Sequence, residues 1–387
     1  MSTSATACPK CGDHLAPDAK FCEGCGTPVV DGATDAPAAV PPAPVDDLGS
    51  GPISAPTHIN PVTPPPPVQS GRRPCVSCGG SVGPDGYCEL CGTKQPSERD
   101  HFRENPAPWV AGVCDRGIRH HRNEDAMALL ASPTQGGRAV LVVLDGVSNT
   151  DDSHLASLAG ARAAREVLRT PLPQGMGTPE SRLSAVTQVF ADAVNAANDA
   201  VVSFTPEGSE HPPSATFVAA IVEGSVLSYA NVGDSRAYWL PDGAPGVLLT
   251  VDDSAAQMQI EAGMSRLEAE SGPQGHAITR WLGRDAPDLT PRVGEFGMDG
   301  PGWVLVCSDG LWNYASEPSA LAAQMAAAGT SDPAALALAL TGFANAQGGQ
   351  DNITVALARI DGQNAGAPAV PTDQSEQSRS DQGESDG

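Results

Sequence analysis

Residues 303–312 read WVLVCSDGLW, where six residues of apolar, mostly strand-favouring character (Trp303 to Ser308) run straight into Asp309 and Gly310. A short apolar run closed by glycine reads as a buried strand ending in a tight turn. A carboxylate there is costly unless it meets a cation, since a buried anion is tolerated only when paired or metal-bound. The device recurs along the chain. Residues 139–146 read AVLVVLDG, residues 227–236 read LSYANVGDSR, and Asp351 directly precedes the strand-like NITVALARI. Asn123-Glu124-Asp125 adds two more acids. One such Asp alone is ordinarily a solvated turn residue. Four at strand ends, with two acids besides, point to carboxylates converging on hard cations, which select carboxylate, carbonyl and water ligands.

Outward from these strands, the region 107–360 alternates groups of strands with groups of helices. Strand-like runs cover Trp109–Cys114, Ala126–Leu130, Val140–Asp145, Thr216–Val222, Val226–Ala230, Ala237–Leu240, Val247–Thr250, Trp303–Ser308 and Ile353–Ile360. Helix-like runs cover His154–Arg169, Arg182–Phe204, Ala255–Gly263, Glu317–Ala328 and Pro333–Ala346. In the second helix Leu183, Val186, Val189, Phe190, Val194, Ala197 and Val201 recur at spacings of three and four, one buried stripe. Grouped strands with inserted helical pairs predict an α+β fold of packed sheet covered by helices rather than a continuous parallel alternation.

The 387 residues carry a formal net charge of -24 with no basic block, which disfavours nucleic acid and anionic membrane as partners. The N-terminus shows no basic-then-apolar leader and no apolar stretch approaches the ~20 residues that span a bilayer, so a cytoplasmic protein is expected. Of ten cysteines, eight form CxxC pairs: Cys8/Cys11 with Cys22/Cys25, and Cys75/Cys78 with Cys88/Cys91. Without an export signal this pattern points to metal rather than to redox dithiols or disulfides. Glycine follows Cys11, Cys25, Cys78 and Cys91, suiting the sharp turn that aims amides at thiolates. Four thiolates suit tetrahedral Zn2+ in segments too small to bury a core. Residues 1–30 and 75–95 each resemble a zinc ribbon, and the pair resembles a double zinc ribbon with two structural Zn2+ ions. Closed four-Cys sites leave no open position for catalysis, so a structural or partner-binding role is expected. Between them, residues 31–74 hold 12 prolines, including Pro64–Pro67. They read as an extended, disordered spacer, with docking into a partner's aromatic groove as the alternative. Residues 92–106 are polar, and the acidic tail 361–387, rich in Ser, Asp, Gln and Gly, reads as disordered.

The order and spelling of the motifs in 107–360 resemble the metal-dependent protein phosphatases of the PPM, or protein phosphatase 2C, family. DRGIRHHRNEDA, VVLDGVS, SATFVAAIV with LSYANVGDSRAYWL, LLTVDDS with ITRWLG, VLVCSDGLWNYAS and GGQDNITVALARI stand in the family's order. The resemblance implies a four-layer α-β-β-α sandwich with metals in a cleft at one end. It implies that Asp145 bridges two Mg2+ or Mn2+ ions, Gly146 lends its carbonyl, and Asp309 and Asp351 complete one shell. It implies that Asp125 and Glu124 hold metal-bound waters and that Asp234 shares a third ion with Asp309. Two such ions activate a water for in-line attack on phosphate, so no covalent intermediate is expected. Cys114 and Cys307 are therefore expected to be core thiols and Ser235 structural, with Arg236 pairing across its turn.

Two departures stand out. The family's phosphate-binding Arg, three residues before Asn123, is His120 here. Either flanking Arg119 or Arg122 takes over, since guanidinium binds phosphate bidentately, or His120 itself contacts phosphate or protonates the leaving group. For His121 a solvated side chain is a further reading. Asp145-Gly146 continues into Val147-Ser148-Asn149, reshaping the adjoining loop. The region between Thr250 and Arg280 is expected to form a flap beside the cleft; in it Asp252-Asp253-Ser254 replaces Asp-His-Ser, and the polar stretch Met264–His276 is expected to be mobile. The expected function is a Ser/Thr phosphoprotein phosphatase opposing a cognate kinase pathway, with ribbons or Pro-rich linker recruiting a protein partner. The alternative is a pseudophosphatase acting as a metal-dependent sensor or scaffold. The acidic surface further predicts a preference for basic or neutral flanks around the phosphoresidue.

Overall fold

The computed structural model describes residues 6–7, 14–15, 75, 77–83, 86–95, 97–147, 150 and 152–362. The first ribbon's cysteines, the linker 31–74, Ser148, Asn149 and the tail beyond 362 lie outside them. The chain forms two compact units, Met1–Gln95 and Pro96–Gly387.

In the first unit β1 (Thr6–Ala7) pairs antiparallel with β2 (His14–Leu15). The second unit runs, in chain order, β3 (His101–Ala107), β4 (Val110–Asp115), β5 (Ala126–Ala131), β6 (Arg138–Leu144), α1 (Ser153–Leu168) and α2 (Pro179–Val202). Then come β7 (Ser214–Ala215), β8 (Phe217–Glu223), β9 (Val226–Val232), β10 (Arg236–Pro241), β11 (Val247–Leu248), α3 (Ala255–Glu261) and α4 (Arg266–Glu270). The chain closes with β12 (Leu282–Gly283), β13 (Arg292–Gly297), β14 (Gly302–Cys307), α5 (Asp309–Trp312), α6 (Pro318–Ala328), α7 (Pro333–Ala346) and β15 (Ile353–Ile360).

Two antiparallel sheets, ordered β11-β10-β14-β15-β4-β3 and β13-β9-β8-β6-β5, face each other. Val143, Val218, Val306 and Ala356 are among the side chains that fill the space between them. Phe190, Val194 and Val201 of α2 and Ala161 of α1 close the outer face of the five-stranded sheet. Leu311, Trp312, Leu336 and Leu340 close that of the six-stranded sheet. The four-layer α-β-β-α sandwich is therefore present, and each central strand is apolar on both faces because both faces are covered.

The strand-like apolar runs all fall on strands, shifted by one or two residues at most of their ends. Two longer strands had no such signal. β3 (HFRENPA) and β13 (RVGEFG) are the outer strands of their sheets, the first largely exposed and the second half-buried, so neither needs an apolar run, and an edge tolerates Pro106. β3 also moves the start of the compact unit from the expected residue 107 back to Pro96. The α2 stripe is buried at Val186, Phe190, Val194, Ala197 and Val201, while Leu183 is exposed. That helix begins earlier than its apolar pattern, at Pro179, because the Thr178 hydroxyl accepts from Ser181 N and proline suits the first turn. The stretch Met264–His276, expected to be mobile, contains α4, opened by a capping box between Ser265 and Glu268.

Candidate active site at the strand ends

Antiparallel register decides where the acids meet. Ala126 pairs with Leu144, Arg236 with Cys307, and Cys307 with Val355. Asp125, Asp145, Asp234, Asp309 and Asp351 therefore all lie at one end of the sandwich, each one or two residues off a strand. Two glycines let the turns close. A Cβ at Gly310 would lie 1.9 Å from the Asn352 carbonyl, and one at Gly117, whose φ is +75°, would lie 2.1 Å from that of Asp351.

Each acid is oriented by polar groups from distant parts of the chain. Ser308 Oγ and Thr354 Oγ1 donate to Asp125 Oδ2 at 2.6 and 2.8 Å. Asn313 Nδ2 donates to Asp309 Oδ2 at 3.1 Å. The second oxygens, Asp125 Oδ1 and Asp309 Oδ1, are buried and have no hydrogen-bond partner among the described residues. Asp145 N donates to Thr216 Oγ1 (3.1 Å), which shares a hydrogen bond with Ser235 Oγ (2.7 Å), giving Ser235 its structural place. Asn352 Oδ1 accepts from Glu124 N at 2.8 Å, and Arg99 donates to the Asp125 carbonyl, to His154 O and to Ser157 Oγ. None of Arg99, Ser308, Thr354, Asn352 or Thr216 was singled out from the sequence. Ser308 and Asn352 adjoin Asp309 and Asp351 and could have been suspected on adjacency; Arg99 carried no local signal.

Burial and repulsion between carboxylates resist ionisation of Asp125, Asp145, Asp234 and Asp309. Burial lifts the Asp125 carboxyl to about 6 and, with Asp252 nearby, that of Asp234 to about 7. Asp145 and Asp309 are held well above the usual carboxylate range by burial and then by neighbouring carboxylates, Asp125 chief among them for Asp145 and Asp351 for Asp309. All-oxygen donors, two orphaned buried oxygens and an anionic surplus fit hard divalent cations. The carboxylates are spread more widely than one ion needs, since among the described residues only the four ribbon thiols draw all their ligand atoms within 4.8 Å of one another.

A stability consequence follows from these shifts. An acid whose folded pKa is raised keeps its proton after the unfolded chain has lost it, so its contribution to stability falls as pH rises from about 4 to about 7. Divalent cations offset the repulsion most where the acids are ionised. Melting in EDTA and in Mn2+ should therefore show a larger Mn2+-induced rise in Tm at pH 8 than at pH 5.5; equal rises would count against this electrostatic picture.

The phosphate-side candidates separate. His120 lies with Nε2 3.3 Å from Asp351 Oδ1 and Nδ1 3.8 Å from Glu124 Oε2, and Glu124 chiefly raises its pKa. Arg122 is engaged by Glu124 Oε1 (2.8 Å) and Thr150 O (3.2 Å). Arg119 is exposed, and its guanidinium makes no ion pair or hydrogen bond with any described residue. His121 is exposed. Cys114 and Cys307 are fully buried, and burial pushes both thiols up, Cys114 to about 12. They are core thiols, as expected.

The protein phosphatase 2C family profile matches residues 117–338, more than half of the chain. The chain belongs to the protein phosphatase 2C family. Serine/threonine protein phosphatase PstP of Mycobacterium tuberculosis is 31% identical over 256 residues, 65% of this chain and 44% of PstP, so the chain matches under half the length of that relative. Protein phosphatase PhpP of Streptococcus pneumoniae is 28% identical over 266 residues, 66% of this chain and 99% of PhpP. The solved catalytic domain of PstP in complex with two manganese ions has the same fold, with a TM-score of 0.50 and 23% identity over 65% of this chain and 98% of that one. A double zinc ribbon profile matches residues 8–101.

Where this family member departs from Asp-His-Ser, the structure supplies a reason. Asp253 is buried and accepts from Arg280 Nη1 (3.2 Å), Arg292 Nε (2.9 Å) and Gly233 N (3.2 Å), so two arginines satisfy the added charge. Val147, in the reshaped loop after Asp145-Gly146, donates its N–H to Ser214 O at 2.9 Å.

In the second ribbon Cys75, Cys78, Cys88 and Cys91 form a four-thiol cluster, with none in a disulfide. Ser77 N and Gln95 Nε2 donate to Cys75 Sγ at 3.4 and 3.2 Å, and Leu90 N and Cys91 N to Cys88 Sγ at 3.4 Å each. Amides aimed at sulfur favour thiolate, and four thiolates fit Zn2+. Among the described residues, no helix is long and apolar enough to cross a membrane.

Proposed function

We propose that this chain is a cytoplasmic, metal-dependent phosphatase of phosphoserine and phosphothreonine in proteins. The observation that carries the reading is the meeting of five buried or half-buried aspartates at one end of the sandwich, two with an orphaned oxygen. Asp145 with the Gly146 carbonyl, Asp309 and Asp351 would hold a Mn2+ or Mg2+ pair, Asp234 and Asp309 a third ion, and Asp125 and Glu124 waters around them. PstP carries two manganese ions in its solved catalytic domain, which supports this assignment. When bound, such ions would acidify a water and neutralise phosphate oxygens. The chain's own residues fix the ligands: Ser308 and Thr354 hold one Asp125 oxygen and Asn313 one Asp309 oxygen, leaving the other oxygen of Asp309 for a cation and that of Asp125 for a metal-bound water. Arg122 is held by Glu124, so this reading gives substrate phosphate to Arg119, whose guanidinium is unengaged among the described residues, and to His120, which stands beside Asp351. PstP and PhpP carry phosphatase names, and the alternative of an inactive sensor draws no support from them. The zinc ribbons or the Pro-rich linker would recruit a protein partner, and a cognate kinase pathway would supply the substrate.

The test is phosphate release from phosphothreonine and phosphotyrosine peptides in Mn2+ and in EDTA. Release from the first alone, abolished by EDTA, is expected; release unaffected by EDTA would sink the metal-dependent reading. Replacing His120 by Ala should lower kcat/KM by about 10- to 100-fold, the worth of one charge-assisted hydrogen bond. His120→Arg should recover most of the loss, since guanidinium presents two donors to phosphate. An unchanged kcat/KM in His120→Ala would remove this residue from the site.

A further inference from the structure

We propose that Glu270 is a positioning residue that clasps the segment carrying α3 and α4 onto the Asp309 turn and, through Arg236 and Trp312, sets the place of Asp234. The inference rests on Asp234 and Asp309 being cation ligands and concerns what holds them.

Three donors from three parts of the chain converge on one oxygen. Glu270 Oε1 accepts from Arg236 Nη2 at 2.6 Å, Arg266 Nη1 at 2.9 Å and Ser316 Oγ at 2.9 Å. Arg236 opens β10, two residues after Asp234, and is fully buried. Its other face is held by Asp252, with Nε 3.1 Å and Nη2 2.6 Å from the carboxylate. The guanidinium lies 3.6 Å from the centre of the Trp312 ring. The Trp312 indole in turn donates to the Asp234 carbonyl at 3.0 Å and belongs to the same helical turn as Asp309. Glu270 is thus three contacts from one ligand's backbone, and through Ser316 it holds the segment that follows the turn bearing the other. Charge-assisted hydrogen bonds of this length are directional, so they fix position as well as adding attraction.

The clasp also shapes a space. A cavity of about 450 Å³ lies between α4 and the turn after Asp309, bordered by Leu267, His276, Trp312, Tyr314 and Asp351. Because it opens onto Asp351, polypeptide on one side of a phosphoresidue would run through it. Releasing α4 should therefore harm a phosphopeptide more than a small aryl phosphate.

The test uses the full chain as wild type, Glu270→Ala and Glu270→Gln. Three readouts are taken: trypsin cleavage after Arg266 followed by mass spectrometry, the Mn2+ concentration for half-maximal activity, and KM for a phosphothreonine peptide and for p-nitrophenyl phosphate. In Glu270→Ala, cleavage after Arg266 should rise at least tenfold, the Mn2+ requirement at least threefold, and KM for the peptide more than KM for the aryl phosphate. Glu270→Gln keeps the accepting oxygen without its charge and should fall between. Wild-type cleavage and Mn2+ requirement in Glu270→Ala would overturn the proposal. So would an equal loss of kcat on both substrates at an unchanged Mn2+ requirement, the mark of a purely structural role. If Glu270→Ala does not fold by circular dichroism, Glu270→Gln decides on the same criteria. A wild type that releases no phosphate would refute the reading of the site, while cleavage after Arg266 would still judge the clasp.

Discussion

Asp145→Asn should lower Mn2+-dependent phosphate release by about 10³-fold or more, the scale on which lost electrostatic stabilisation acts. It should also melt at a higher temperature than wild type in EDTA. Both follow from one arrangement. Asp145 follows β6 among Asp125, Asp234, Asp309 and Asp351, and burial with their repulsion holds its carboxyl well above the ordinary range. Asparagine has the same shape and no charge, so it relieves the repulsion and removes a ligand at once. Each kcal/mol relieved is worth about 2–4 °C in a domain of this size. Melting curves with and without Mn2+ beside steady-state assays separate the two effects. A variant that lost activity and also melted lower in EDTA would mean that Asp145 supports the fold rather than a cation.

Arg236→Met should cost about 3–5 kcal/mol of stability, because it strands buried charge. Arg236 is the buried cation between Asp252 and Glu270, and burial already raises the Asp252 carboxyl against the pull of this guanidinium. Removing the arginine leaves Asp252 inside with no ion-pair partner among the described residues, while Glu270 keeps Arg266 and Ser316. The double change Arg236→Met with Asp252→Leu should recover much of the loss, since an apolar pair of similar volume needs no counter-charge. Urea unfolding of the single and double variants checks both statements. A loss under 1 kcal/mol in Arg236→Met would show that water reaches the cluster.

The sandwich was legible because its central strands are covered on both faces. That makes them short, continuous apolar runs such as WVLVC and ITVALARI, and each run touching the site ends at or starts from an aspartate. The edge strands β3 and β13 had no such run, because one side of each is open and polar residues sit there without cost. The ligand candidates were legible through the same device and through the order of the family's motifs. Their supports were not. Ser308 and Thr354 hold Asp125 across 183 and 229 residues, and Asn352 holds Glu124 across 228. No local period marks a hydroxyl that will meet a carboxylate so far along the chain. The Asp252–Arg236–Glu270 cluster was hidden for the same reason, and Met264–His276 read as polar and loose although it contains a capped helix clasped by buried charge. On the phosphate side the sequence left His120, Arg119 and Arg122 open, because only the structure places His120 beside Asp351 and Arg122 against Glu124.

The most direct measurement is calorimetric titration of the zinc-loaded full chain with Mn2+, for wild type, Asp145→Asn and Asp309→Asn, paired with phosphothreonine-peptide turnover on the same samples. Two or more Mn2+ per wild-type chain, with both variants losing binding and turnover together, is the expected result. Turnover by a wild type that binds no Mn2+, or full Mn2+ binding by Asp145→Asn, would contradict a cation centre built from these strand-end carboxylates.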